Sequence, residues 1–455
     1  MYTHPLPPEY RPLRKHLRFD ALVRALSDRF ATLPDSRRNP TISVADACLA
    51  AFAMFSLKDP SLLAFEQRRQ ESDPNLHRLY RIQTIPSDSQ LRDILDPVHH
   101  HSLGSCFTDI FRQLQRGKAL EDFTFYEDHY LVATDGVQFF SSKTIHCPHC
   151  LETHHRDGSI TYSHQMLGVG LVHPDQKVVI PLMPEPIEKQ DGATKNDCEQ
   201  NAFKRLLPRF RQEHPHLKVI VTADDIASKA PQIRACQCHN VRFLFVAKPS
   251  DHTYLFQHVE KAVDEGKAEV LTLWDARTQT LQHYRWCREV PLNESNTELL
   301  VTVLEYWEIQ DGKVVYANSW VTDLDVNEAN VAVLVRGGRA KWKIENETFN
   351  TLKNQGYHYE HNFGHGKQHL ANVFAVVMML AFLVDQTQQL CCGLFQAAWA
   401  KVGSKTRLWE QVRHLFHSFH FDSMAELYEA VVRGIEKQKP VLQTVVSAAE
   451  GQDTS

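Results

Sequence analysis

Three acidic positions in this chain have the residue types and surroundings of a site for hard cations. Tyr130-Leu-Val-Ala-Thr-Asp135-Gly136 is a short apolar run that ends in Asp-Gly, which predicts a buried strand delivering an acid at its C-terminal edge. Lys218-Val-Ile-Val-Thr-Ala-Asp224-Asp225 repeats that pattern, with either aspartate available as the acid. Read as a helix at about 100° per residue, Lys341 to Lys353 puts Trp342, Glu345, Phe349 and Leu352 in one narrow sector, while Glu347 points elsewhere. An ionised carboxylate on a face meant for burial costs several kcal/mol unless a cation meets it. A divalent metal meets that need, and so does a rim pairing of Glu345 with Lys341 or Lys353. Oxygen ligands converging from three distant points suit hard divalent ions, the layout of a two-metal phosphoryl-transfer site.

A second constellation is made of softer donors. Ile145-His146-Cys147-Pro-His149-Cys150 has the Cys-x-x-Cys spacing of a structural zinc knuckle, and His154, His155 and His164 follow as imidazoles to complete a tetrahedron around Cys147 and Cys150. The plain alternative is a histidine-rich loop with two free thiols. Gly356 to His369 is another histidine cluster, in which His365 and His369 have helical spacing. Capping, or contact with a nucleic-acid backbone, is the simpler role for that pair.

These groups need elements to hold them. Val132 to Asp135, Ser163 to Val172 and Val178 to Met183 predict a three-strand meander, Asp197 to Gln212 an amphipathic helix, Val219 to Asp224 a parallel strand and Arg242 to Ala247 a fifth strand. About a hundred residues rich in β-branched and aromatic positions follow, among them Leu271-Thr-Leu-Trp274, Leu281 to Trp286, Leu299 to Trp307 and Val314 to Val321. Asp311-Gly312 punctuates them as a hairpin turn, so they read as an antiparallel insertion.

With these residues in view, the chain resembles the DDE transposases of bacterial insertion sequences, in the IS4-like group with a ribonuclease H-like catalytic core. The resemblance rests on Ala133-Thr-Asp135-Gly136, Thr222-Ala-Asp224-Asp225 and Trp342-Lys-Ile-Glu345-Asn-Glu-Thr-Phe349-Asn-Thr-Leu352-Lys353, and Ile85 to Leu95 is similar to the stretch before the core. It favours Asp224 over Asp225 as the second acid. Phe349 stands one place later than in the family pattern, and Gly338 and Lys341 occupy the places of a Tyr-x-x-Arg. Lys341 keeps the charge without the bidentate fork of arginine.

The resemblance implies a mixed α/β sheet flanked by helices, with Asp135, Asp224 and Glu345 holding two Mg²⁺ that Mn²⁺ can replace. It implies double-stranded DNA as partner, both terminal inverted repeats and target, and a homodimer that pairs two ends. Arg339, Lys341, Lys343 and Lys353 are the cations expected against DNA. The expected division is a helical end-binding or dimerisation region (1–125), the first part of the core (126–250), the β-rich insertion (251–327), the second part of the core (328–390) and a helical C-terminal region (391–455). Rival readings are a stand-alone metal-dependent nuclease on the same core and an inactive transposase-derived DNA-binding protein.

Composition narrows the classes further. With 455 residues, 43% of them hydrophobic, the chain can bury a full core. Ten scattered cysteines suit a reducing compartment, and the opening residues lack a secretory pattern, so a cytoplasmic, nucleoid-associated protein is expected. Val373 to Val384 is too short to span a bilayer and predicts a buried helix, with no membrane partner. A formal charge of −5 is unlike a general DNA binder, so local clusters must carry any such contact. Tyr10 to Arg18, Arg37-Arg38 and Arg336 to Lys343 are the basic stretches.

Overall fold

The computed structural model describes residues 15–70, 74–189 and 196–434. The basic stretch from Tyr10 to Arg14 and the end of the C-terminal region from 435 onward lie outside the described residues.

One mixed sheet of 12 strands runs through the molecule. Its strands are β1 (Thr124–Tyr126), β2 (His129–Ser142), β3 (Leu151–His154), β4 (Ile160–Val172), β5 (Ile180–Pro181), β6 (Glu185–Ile187), β7 (Val219–Ala223), β8 (Arg242–Val246), β9 (Glu269–Asp275), β10 (Thr280–Asn293), β11 (Asn296–Gln310) and β12 (Lys313–Thr322). The order across the sheet is β3-β4-β2-β7-β8-β12-β11-β10-β9, with β1 beside β2 and with β5 and β6 beside β4. Among the described strands, only β2, β7 and β8 run parallel. All five residues of β7 are buried, as expected for a parallel strand covered on both faces. The helices Glu199–Glu213 and Ala230–Cys238 precede and follow β7.

The predicted meander forms, but β2 is longer than expected, β3 and β6 were not foreseen, and the third strand shrinks to β5. The predicted antiparallel stretch forms as β9 to β12. Its hairpin turn is present, with Asp311 and Gly312 both at positive φ (51° and 72°), the backbone of a two-residue type I′ turn. β12 also pairs with β8, Trp320 opposite Val246, so β9 to β12 continue the core sheet.

The helical regions expected at the two ends of the chain likewise pack as one layer. Val44–Leu57 is apolar all round, with small Ala47, Ala50, Ala51 and Ala53, and lies against Leu370–Cys391. Asn75 donates to the carbonyls of Phe416 (2.6 Å) and Phe419 (2.7 Å), and Met424 N–H donates to Asp20 (3.1 Å). Leu370–Cys391 is the one single described helix long and apolar enough to cross a membrane, and it is buried within the protein from Leu370 to Gln388.

Candidate active site

Asp135 and Asp224 meet because of sheet register. β2 and β7 run parallel with Ala133 opposite Thr222, so two residues further along each chain the two carboxylates stand side by side. Asp135 is not at a strand end, as predicted, but in the middle of β2, opposite Gly168 of β4. What stops at that level is its parallel neighbour, since β7 ends at Ala223. Asp225 opens a short 3-10 turn and turns away, accepting from Lys248 at 3.1 Å.

Lys341 joins the two acids. Its Nζ lies 2.7 Å from Asp224 Oδ2 and 3.2 Å from Asp135 Oδ2. Burial by itself would draw this ammonium down, but Asp135 and Asp224 outweigh it and hold Lys341 above the ordinary lysine value. Asp135 is pushed above the usual carboxylate range, first by burial and then by Asp224 and Glu345, against the pull of Lys341. Glu345 therefore belongs to the same electrostatic cluster, four residues beyond Lys341.

The segment that carries Glu345 differs from the regular helix predicted for it. Ile344–Phe349 is a π-helical turn, continued by the α-helix Asn350–Asn354. A π turn bonds i to i+5, so the 100° spacing that grouped Trp342, Glu345, Phe349 and Leu352 fails here. Ile344, Thr348, Phe349 and Leu352 are buried, whereas Trp342 and Glu345 are exposed. Phe349 then packs on the sheet where Gly168 leaves room, since a Cβ at 168 would lie 2.5 Å from the ring. Gly338 has a comparable cause: Trp320 Nε1 would be 2.4 Å from a Cβ there, so the indole of β12 leaves no room for a side chain.

A fourth carboxylate completes the cluster. Glu199, in the first turn of Glu199–Glu213, accepts from the Gly136 N–H and sits where a Gly136 side chain would be. Burial, then Asp135 and Asp224, raise its carboxyl above the usual range. Sequence reasoning missed it, because an acid in a first helical turn is ordinarily explained by the helix dipole. Thr134, Asp135, Glu199, Phe203, Asp224 and Ile226 line a shallow, open cleft beside the acids.

The cations expected against DNA are engaged within the protein. Arg339 pairs with Glu308 and stacks 4.4 Å over the Tyr316 ring. Lys343 is buried and donates to the Gln176 carbonyl (2.6 Å), Lys353 pairs with Glu360 (2.8 Å), and Lys341 is held by the acids as described. Lys341 and Lys343 thus turn inward, while Arg339 and Lys353 are paired nearer the surface. Arg37 likewise pairs with Asp35 (2.6 Å). Of the tryptophans in the β-rich stretch, Trp286 and Trp320 are core, while Trp274 is exposed.

The softer donors converge elsewhere. Cys147, Cys150, His164 and His365 are all buried, with their ligand atoms within 4.8 Å of one another. His154 and His155, offered by sequence as partners for the cysteines, are exposed instead, and His155 bonds to Thr161 Oγ1 (2.7 Å). His369 packs against His99 and His149.

No protein-family profile and no curated protein sequence matches the chain. Among solved structures it is similar to a cryo-EM structure of a piggyBac transposase synaptic complex with hairpin DNA, at 9% identity and a TM-score of 0.37, over 94% of this chain and 82% of that one. A likeness so distant carries no argument about this chain.

Proposed function

We propose that this chain is a DDE transposase with a ribonuclease H-like core, which cuts DNA at the ends of an insertion sequence and joins those ends to target DNA. The observation that carries the reading is the sharing of one ammonium by Asp135 and Asp224 on adjacent parallel strands, with the Glu345 charge reaching Asp135. Strand order supports it: a meander, a helix, a parallel strand, a helix and a further parallel strand.

The donor set fits divalent magnesium. Asp135, Asp224 and Glu345 offer hard oxygen ligands, and burial, then the neighbouring Asp224 and Glu345, hold the Asp135 carboxyl above its usual range. When bound, a pair of such ions activates a water or 3′-hydroxyl and stabilises the leaving oxygen of a phosphodiester. The chain's own part is to hold the acids in register. Lys341 neutralises Asp135 and Asp224, and its pull is the interaction an incoming cation replaces. Double-stranded DNA is the proposed partner, a homodimer the proposed synaptic unit and the bacterial cytoplasm the proposed compartment.

Purified protein incubated with labelled element ends, target DNA and Mg²⁺ separates the readings. Cutting followed by joining is expected; cutting alone would mean a nuclease, and binding alone an inactive DNA-binding protein. Glu345→Gln and Asp135→Asn should each lower cutting by about a hundredfold or more while leaving end binding intact. Equal loss of binding and cutting would assign these acids to the fold instead.

A further inference from the structure

The loop between β2 and β3, strand β4 and the loop after the Glu345 helix bring two thiols and two imidazoles to one buried point. Cys147 Sγ and Cys150 Sγ are 3.9 Å apart. His164 Nε2 lies 3.5 Å from Cys147 Sγ and 3.4 Å from Cys150 Sγ, and His365 Nε2 lies 3.3 Å from Cys150 Sγ and 3.2 Å from His164 Nε2.

These separations can be compared with a tetrahedron around one ion. Zinc bonds of about 2.3 Å to sulfur and about 2.0–2.1 Å to nitrogen set ligand separations of about 3.8 Å between sulfurs, about 3.6 Å between sulfur and nitrogen and about 3.3 Å between nitrogens. The five distances above follow that pattern to within about 0.3 Å, in the same order of length by donor type. His365 Nδ1 is 2.9 Å from the Gly366 carbonyl; donating there keeps its proton on Nδ1 and turns the Nε2 lone pair toward the thiols. We propose that Cys147, Cys150, His164 and His365 bind one structural Zn²⁺.

This ion would tie together residues 201 or more positions apart, a cross-link from the β2–β4 region to the chain just past the catalytic helix. His164 is four residues before Gly168, on which Phe349 packs, so the cross-link braces the surface that seats the Glu345 segment. All ligand positions are filled by protein, which makes the role structural and independent of DNA cleavage. Binding displaces the two thiol protons to solvent, so uptake is favoured as pH rises.

The test is metal content of the full chain, purified with reductant and passed over a chelating resin. One tightly held zinc per chain is expected, lost in the Cys147→Ser/Cys150→Ser double variant and in His365→Ala. Because those variants can fail to fold, the unmodified protein is also grown with Co²⁺, which should give the intense visible bands of a tetrahedral thiolate site. His365→Cys should keep the metal and shift those bands. Absence of zinc from the unmodified protein together with no uptake of added Zn²⁺, zinc retained in the double variant, or a Cys147–Cys150 disulfide in the reductant-purified chain would each overturn the proposal.

Discussion

Lys341 stands four residues before Glu345 and reaches back to both aspartates, so one short stretch of chain supplies both an acid and the cation that the other two acids share. Glu199 adds a fourth negative group with no comparable partner, and its raised carboxyl has a consequence for stability. A folded-state pKa above the unfolded one means that the folded chain keeps its proton longer. The associated stability is full below the ordinary carboxylate value and is lost as pH rises through the raised one. Glu199→Gln should therefore raise the melting temperature of the protein in magnesium-free buffer at neutral pH, and should change it little below the ordinary carboxylate range. Calorimetry across pH checks this, and an equal effect at both ends would point to packing rather than charge. Asp135 and Asp224 were legible because each closes an apolar run. Glu199 and the inward turn of Lys341 were not, since which charges face one another depends on how separate elements pack.

The π-helical turn at Ile344–Phe349 is the element on which the site's geometry depends. It sets Phe349 and Leu352 inward while Glu345 faces solvent, and it rests on the sheet at Gly168 and Gly170, where a Cβ would come within 2.5 Å of Phe349 and 3.3 Å of Ile344. Gly168→Ala forces the Phe349 ring aside, at a cost of about 1–3 kcal/mol for overpacking, and shifts Glu345 with it. Lower stability and slower cutting are expected together, and Phe349→Leu in the same chain should restore part of both. A double-mutant cycle on melting temperature and cutting rate measures that coupling; additive losses would mean the two residues do not meet. The existence of a helical segment here was readable from its residues. Its π character was not, because the pattern was read with a fixed 3.6-residue turn and the sheet beneath decides which side chains are accepted.

Across the whole molecule, the helices from both ends of the chain close over one core, fastened by the buried pair of Lys58 and Asp385. Tyr357 also donates to Asp385, and the Lys58 ammonium lies 3.8 Å over the Trp409 ring. Lys58→Met leaves Asp385 charged and uncompensated, so a loss of about 3–5 kcal/mol is expected, read by denaturant unfolding. Lys58→Met with Asp385→Leu and Tyr357→Phe should recover most of it; failure to recover would show that Trp409 stacking, not charge, was the main contribution. The amino-acid sequence alone determined the class of mixed sheet with flanking helices, the buried helix near Val373 to Val384, the hairpin at Asp311-Gly312 and the strand that stops just before Asp224, because periodicity and turn residues act locally. Tertiary structure alone decided that β12 joins β8, that Lys341 faces Asp135 and Asp224, and that His365 meets Cys147, Cys150 and His164. Those contacts join residues far apart in the chain, and nothing local in the sequence specifies which distant surfaces will be pressed together.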